Sequence, residues 1–390
     1  MKANFSVVEP VEYILENRDN RTFQYVPILR SLSQVLKNIE EKDLVTQKNT
    51  GCASRYQSFH DGSHFHANEF FADVEKLSLI LYIEDFEVCN PLGTSRKIHK
   101  VTAVYWVLGN FPAHARSTLA SINLAILCKA DDTKRFGFQK VLEPLLTDLQ
   151  SLEKNGIFIP SLGKVMKGTV VSVVADNLGA HSVGGFIENF TGSHVCRFCL
   201  ADRSQFQTTE VRSGLFQRRD KEQHSLHVEA VLSSPTSTPC YGVKKQCALS
   251  EKLDHFHVTS GYPPDALHDL LEGLVPVELA LSFQAFIKKK YFSLVELNNC
   301  IRQFPYKWSD QTNRPHLIPA HFSSKRSVGG NAHENWCMLR LLPLMIGLKV
   351  PEDDEVWQML MTLKDIVELV MAPVHTEQSI CYLDSLISEH

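Results

Sequence analysis

Residues 77–83 read LSLILYI and run into Glu84-Asp85-Phe86-Glu87; residues 101–108 read VTAVYWVL, 122–128 read INLAILC, and 169–175 read TVVSVVA before Asp176-Asn177. Each is a strand-length apolar run, and β-branched or aromatic residues dominate the second and last. Asn90-Pro91-Leu92-Gly93 supplies a turn signal after the first run, and three consecutive runs predict an antiparallel meander. Phe138, Val141, Leu145, Leu149 and Leu152 then recur at helical spacing, with Pro144 predicting a kink or late start and Asn155-Gly156 a stop. The run at 169–175 has no polar face, as a buried strand requires, and ends on an acid. The order β-β-β-α-β predicts an α/β fold.

Outward from this block, residues 1–75 read as helical and irregular, with Leu29, Leu32, Val35, Leu36 and Ile39 at helical spacing before a polar stretch from Gln47 to Gly62. Residues 202–250 are rich in Ser, Gln, Thr and charge without a sustained period, as in a loop-rich insertion. Helices are expected over Pro264–Lys290, Asn331–Gly347 and Glu355–Met371. The leucine stripe from Leu267 to Leu281, which includes Leu270, Leu271, Leu274 and Val277, is expected to be helix core. The expected organisation is an N-terminal region 1–75, a core 76–195 carrying two acids, an insertion 196–325, and C-terminal helices 326–390 carrying a third.

Lys plus Arg number 40 against 44 Asp plus Glu, a net charge of −4, so the overall charge does not announce a polyanion-binding protein, and any DNA contact must be local. The N-terminus lacks the apolar run of a signal peptide, and no stretch reads as the roughly 20 apolar residues of a membrane span, so an intracellular protein without membrane contact is expected. Ten cysteines in 390 residues are too sparse for a disulfide scaffold. No phosphate-binding loop of the Gly-x-x-x-x-Gly-Lys type and no Gly-x-Ser-x-Gly elbow occurs, which sets aside those NTPase and hydrolase classes.

Two constellations carry chemistry. Asp85 and Asp176 each close an apolar strand, and neighbouring strand ends are where α/β sheets bind ligands. Two carboxylates there, with a third from a helix, can hold two divalent cations for in-line phosphoryl transfer. Glu84 is the alternative to Asp85. For the third acid the candidates are Glu334, in GGNAHENWCMLRLLP, and Asp265, Asp269 or Glu272, in PPDALHDLLEG. The bland alternative is an edge acid in solvent, or a first-turn acid that favours the helix dipole. The second constellation is Cys196-Arg197-Phe198-Cys199, half of a tetrahedral zinc site, which either His224 and His227 or His316 and His321 would complete. Two ordinary buried thiols are the competing reading. Short basic clusters (Arg96-Lys97 with His99-Lys100, Arg218-Arg219 with Lys221, Lys288-Lys289-Lys290) suit phosphate contacts or plain solvated faces.

The segments LYIEDFEVCNPLGTSRKIHKVTAVYWVLGN, VVADNLGAHSVGGF with HVCRFC, GYPPDALHDLLEGLVPVEL and NAHENWCMLRLLPLMIG resemble cut-and-paste transposases of the CACTA (En/Spm-like) family, over about residues 75–375. The resemblance implies a ribonuclease-H-like core whose Asp, Asp, Glu triad binds magnesium or manganese, interrupted by a helical insertion between the second and third acids. Carried over, the second acid is Asp176, the first lies within Glu84-Asp85, and the third is Glu334. The arrangement is also similar to the catalytic subunit of the antigen-receptor recombinase, where a Cys-x-x-Cys and a His-x-x-x-x-His share one zinc; this implies Cys196, Cys199, His316 and His321. Asp265-x-x-His268 resembles a motif shared by several transposase superfamilies.

The resemblance implies metal-dependent cleavage and transfer of DNA strands, with DNA as partner, a dimer as the working form and the nucleus as the compartment. The competing expectation is a domesticated, catalytically inactive scaffold that binds nucleic acid or protein. The Glu84-Asp85 ambiguity, the acidic balance, the lack of a finger-like or basic module before residue 75, and an end inside an apparent helix at SLISEH all point to that scaffold or to a fragment.

Overall fold

The computed structural model describes residues 7–44, 54–72, 75–88, 99–206, 216–234, 236 and 238–390. The expected turn at Asn90–Gly93 and the basic pair Arg96-Lys97 lie outside these residues. The chain is of the mixed α/β class. It divides into two units: one comprises Met1–Ala53 with Ser58–Pro263, the other Ser54–Gln57 with Pro264–His390.

The first unit is built on a six-stranded mixed sheet. Its strands are β1 (Val11–Glu16), β2 (Arg21–Tyr25), β3 (Leu77–Glu87), β4 (Lys100–Leu108), β5 (Asn123–Lys129) and β8 (Gly168–Val174), in the order β1-β2-β5-β4-β3-β8. β6 (Ile157–Ile159) and β7 (Lys164–Met166) form a separate hairpin. β3, β4 and β5 pair antiparallel, from Leu79 opposite Leu108 to Glu87 opposite Lys100. β8 returns parallel to β3, from Leu77 opposite Gly168 to Tyr82 opposite Val174. A parallel return needs a crossover, and α2 (Ala130–Lys154) provides it.

The two sheet faces are covered differently. Leu77, Leu79, Leu81 and Ile83 alternate onto one face with Val104 and Trp106, against Val141, Leu145, Leu149 and Leu152 of α2. Burying each such side chain contributes roughly 1.5–3 kcal/mol. Ile80, Val107 and Val171 face the other way, onto Phe65, Phe70 and Phe71. The expected irregularity at Pro144 sits elsewhere: α2 breaks at Gly137, whose φ of 81° a residue with a Cβ rarely adopts, and Pro144 lies within the continuous helix that follows.

The reading of residues 1–75 as helical and irregular holds for α1 (Ile28–Val35) but not for β1 and β2, which form a hairpin and extend the sheet through β2 to β5. β1 is an edge strand with Val11, Tyr13 and Ile14 exposed, so no clean apolar alternation marks it. Two further helices of this unit are α3 (Asn177–Gly184) and α4 (Lys221–Ser233).

The second unit is helical: α5 (Val275–Lys288), α6 (Leu294–Gln303), α7 (Ala332–Ile346), α8 (Glu355–Val370) and α9 (Glu377–Glu389). The leucine stripe is not its core face. Leu271, Val275, Leu279, Phe283 and Phe286 are buried, whereas Leu267, Leu274, Val277 and Leu281 are exposed. Residues Leu267–Leu274 wind as a π-helix, and Pro276 just beyond has no N–H to donate back, so the wider turn shifts the helical phase. The helical stretch Leu267–Lys288 is 22 residues long and its most apolar window has a mean hydropathy of 1.5, enough to cross a membrane by length and composition alone; half of that window is buried inside the protein, and a core helix meets the same criteria.

Candidate active site

The register of β3 and β8 brings the two strand-end acids together. Their last pair is Tyr82 opposite Val174, so two residues further along Glu84 is the counterpart of Asp176. Asp85 lies in register with Thr102 of β4, whose hydroxyl donates to its Oδ1 at 2.5 Å. Asp176 is the N-cap of α3 and accepts the Gly179 N–H on Oδ1 at 2.6 Å. The Oδ2 atoms of both carboxylates take no hydrogen bond from the described residues. Gly179 permits this close packing: a Cβ there would stand 3.0 Å from Asp176 Oδ1.

Glu84, Asp85 and Asp176 line one cavity of about 410 Å³, together with the start of α2 and the loop after α3. Glu188 adds a fourth carboxylate, and Lys100, Lys134, Lys244 and Lys245 bring four ammonium groups from three separate stretches of chain. Lys244 pairs with Glu188 at 3.6 Å. Burial pushes the Lys245 amine down, and Glu188 partly offsets this. The two lysines are fixed by their backbone: both N–H groups donate to Gly185 O, at 2.8 and 3.1 Å. Gly185 has a φ of 81°, and a Cβ there would strike Lys245 O at 2.2 Å, so only glycine serves. At the cavity's edge the Cys128 thiol is pushed up by burial, with Asp132 and Asp85 adding to the effect.

Sequence reasoning named Lys100 but passed over Lys134, Lys244 and Lys245. The last two fall in YGVKKQC, inside the stretch read as a loop-rich insertion. The Tyr241-Gly242 turn before them was the available signal. The other basic clusters do different work. Arg219 is only 6% exposed and cannot serve as a surface phosphate contact. Lys289 is bound to Asp354.

Glu334 belongs to the second unit. It sits in the first turn of α7 in a reciprocal cap: its Oε2 accepts Asn331 N–H at 2.9 Å and its own N–H donates to Asn331 Oδ1 at 3.0 Å. His316 Nδ1 approaches the same Oε2 at 3.5 Å. Asp265 Oδ2 binds His268 Nδ1 at 2.5 Å, and His268 Nε2 stands 4.0 Å from Glu272, whose other oxygen accepts the Ala332 N–H at 3.2 Å. The Asp265-x-x-His268 pair therefore braces the N-terminus of the helix that carries Glu334.

Cys196 and Cys199 belong to the first unit, His316 and His321 to the second. His316 Nε2 is taken up by Val328 O at 2.8 Å. His224 and His227 share a face of α4 but have different surroundings: His224 is buried against Phe186 and His257, and His227 stacks on Tyr241. Among the described residues no three His, Cys, Asp or Glu side chains already surround a common centre as a metal requires.

What the cavity can do follows from its donors. Free carboxylate oxygens on adjacent strand ends suit a hard divalent cation, and ammonium groups around them suit phosphate oxygens. A scan against protein-family models and a search of curated proteins return no match to this sequence, so its function rests on these residues.

Proposed function

We propose that this chain derives from a transposase with a ribonuclease-H-like core, and that its chemistry is metal-dependent cleavage and transfer of DNA strands. The observation that carries the reading is Asp85 and Asp176 on adjacent strand ends, facing a cavity ringed by lysines. Support also comes from the sheet: three antiparallel strands, a crossover helix and a parallel fourth strand beside the first, the arrangement the resemblance implies.

Asp85 and Asp176 would hold magnesium or manganese, which when bound lowers the pKa of a water and neutralises the charge developing on phosphorus. The protein's own part is to orient. Thr102 fixes one Asp85 oxygen, the Gly179 N–H fixes one Asp176 oxygen, and Lys100, Lys134, Lys244 and Lys245 hold the backbone phosphates on either side.

The competing scaffold reading is favoured by one observation: Asp176 and Glu334 both cap helices, work they would do without any metal. Calorimetric titration of manganese into the full chain separates the two. Saturable binding in the wild type that Asp176→Asn abolishes, together with manganese-dependent nicking of DNA, is the expected result; no binding in the wild type leaves the scaffold.

A further inference from the structure

Three cysteines and a buried arginine in the first unit point to a metal site unlike the one the resemblance implies. Cys196 and Cys199 form a tight knuckle. The Phe198 N–H donates to Cys196 Sγ at 3.3 Å, and the Ala201 N–H does the same for Cys199. Each sulfur thus receives the amide two residues on, which fixes the knuckle.

Cys240 opens a second tight turn. Cys240 and Val243 exchange backbone hydrogen bonds at 3.0 and 2.9 Å, and Tyr241 and Gly242 have φ of 46° and 79°, as a type I′ turn requires. Arg219 ties the two turns together, its guanidinium donating to Cys196 O at 3.0 and 3.1 Å and also to Tyr241 O.

Arg219 is the informative residue. It is 6% exposed, its Nη1 has no partner, and no carboxylate pairs with it among the described residues. The thiols of Cys196, Cys199 and Cys240 lie close enough for their charge to act on it, as do the imidazoles of His181, His224 and His227. A buried guanidinium without a counter-charge is costly, so an anion belongs beside it. His227 supplies a further unsatisfied group, as His224 does on the same helix: its Nδ1 is buried without a partner, and its ring stacks on Tyr241 at 4.7 Å. His194, nearby, places its Nδ1 on Leu200 O at 3.1 Å.

We propose that Cys196, Cys199, Cys240 and His227 bind one structural zinc within the first unit, and that Arg219 balances its charge. Three thiols lose their protons on binding, so a Zn²⁺ with three thiolates and a neutral imidazole carries −1, which the guanidinium offsets. The backbone of both turns is already in place, but the four side chains do not yet surround a common centre, so binding requires Cys240 and His227 to turn toward the knuckle. His316 and His321, which belong to the second unit, are not ligands in this scheme.

Cobalt(II), a spectroscopic stand-in for zinc, tests this on the full chain. The wild type should bind one cobalt with a tetrahedral visible spectrum, and Cys240→Ser should lower the thiolate-to-cobalt charge-transfer intensity by about a third, one thiolate of three. His316→Gln with His321→Gln should leave the spectrum unchanged. The proposal is overturned if no cobalt binds, if Cys240→Ser leaves the band intact, or if the double histidine variant diminishes it. Should Cys240→Ser fail to fold, alkylation of the wild type decides instead. Zinc should protect Cys196, Cys199 and Cys240 together, and a chelator should expose all three while the exposed Cys381 reacts throughout. Equal reactivity of Cys240 with and without zinc refutes the assignment.

Discussion

Replacing Asp176 separates its two tasks, capping α3 and facing the cavity. In Asp176→Asn the amide oxygen still accepts the Gly179 N–H, and Asn caps helices as well as Asp does, so without metal the variant should lose no more than the ~0.3–1 kcal/mol of charge–dipole attraction. Asp176→Ala deletes the cap outright and should cost about 1 kcal/mol, or about 2–4 °C in Tm for a domain of this size. Manganese at roughly 100 times its Kd should add about 2.7 kcal/mol to the wild type, a rise of about 5–11 °C, and nothing to either variant. Thermal melts of the three proteins with and without manganese give every term. The reasoning fails if Asp176→Asn keeps the manganese-induced rise.

Lys244→Gln combined with Lys245→Gln should weaken DNA binding and flatten the log K against log salt plot by roughly 1.8, about 0.9 per lost phosphate contact; an unchanged slope in fluorescence anisotropy removes these lysines from the interface. Glu153, 4% exposed, accepts the hydroxyl of the fully buried Thr169 and, at 3.0 Å, the Asp254 N–H, so Glu153→Leu should lower stability by about 1–3 kcal/mol through the orphaned Thr169 hydroxyl; a loss under 1 kcal/mol in urea unfolding contradicts this. Burial pushes His60, His224 and His257 down to about 4, below their ordinary 6.5, so the unfolded chain takes up protons first as pH falls. Stability is full above pH 6.5 and should drop toward pH 4 with a slope of up to about 1.4 kcal/mol per pH unit for each imidazole. His60→Gln should reduce that slope, and equal urea midpoints at pH 7 and pH 5 would count against it.

The apolar runs at 77–83, 101–108 and 169–175 were legible because a buried strand needs an unbroken apolar, β-branched stretch; that β3 runs on through Asp85 to Glu87 was not, because beyond Ile83 the apolar stretch stops while the pairing with β4 continues. Helices α7 and α8 were legible for a similar reason, through local spacing and a capping residue. The β1-β2 hairpin was not, because an edge strand with exposed Val11, Tyr13 and Ile14 carries no periodic signal. Nor was the phase of the helix after Leu267, which a π-turn ahead of Pro276 displaced.

The sites divide along the same line. Sequence alone marked Asp85, Asp176, Cys196 and Cys199, each set by its own strand end or its own tight turn. Only the tertiary structure decided which residues join them: Lys134 and Lys244-Lys245 beside the acids, and the Cys240 turn against Cys196 through a buried Arg219. The reason is range. Spacing along a chain reports the neighbours a residue meets within a turn or a strand, whereas the packing of α2 and of the loop after α3 against the sheet determines which distant side chains share a cavity.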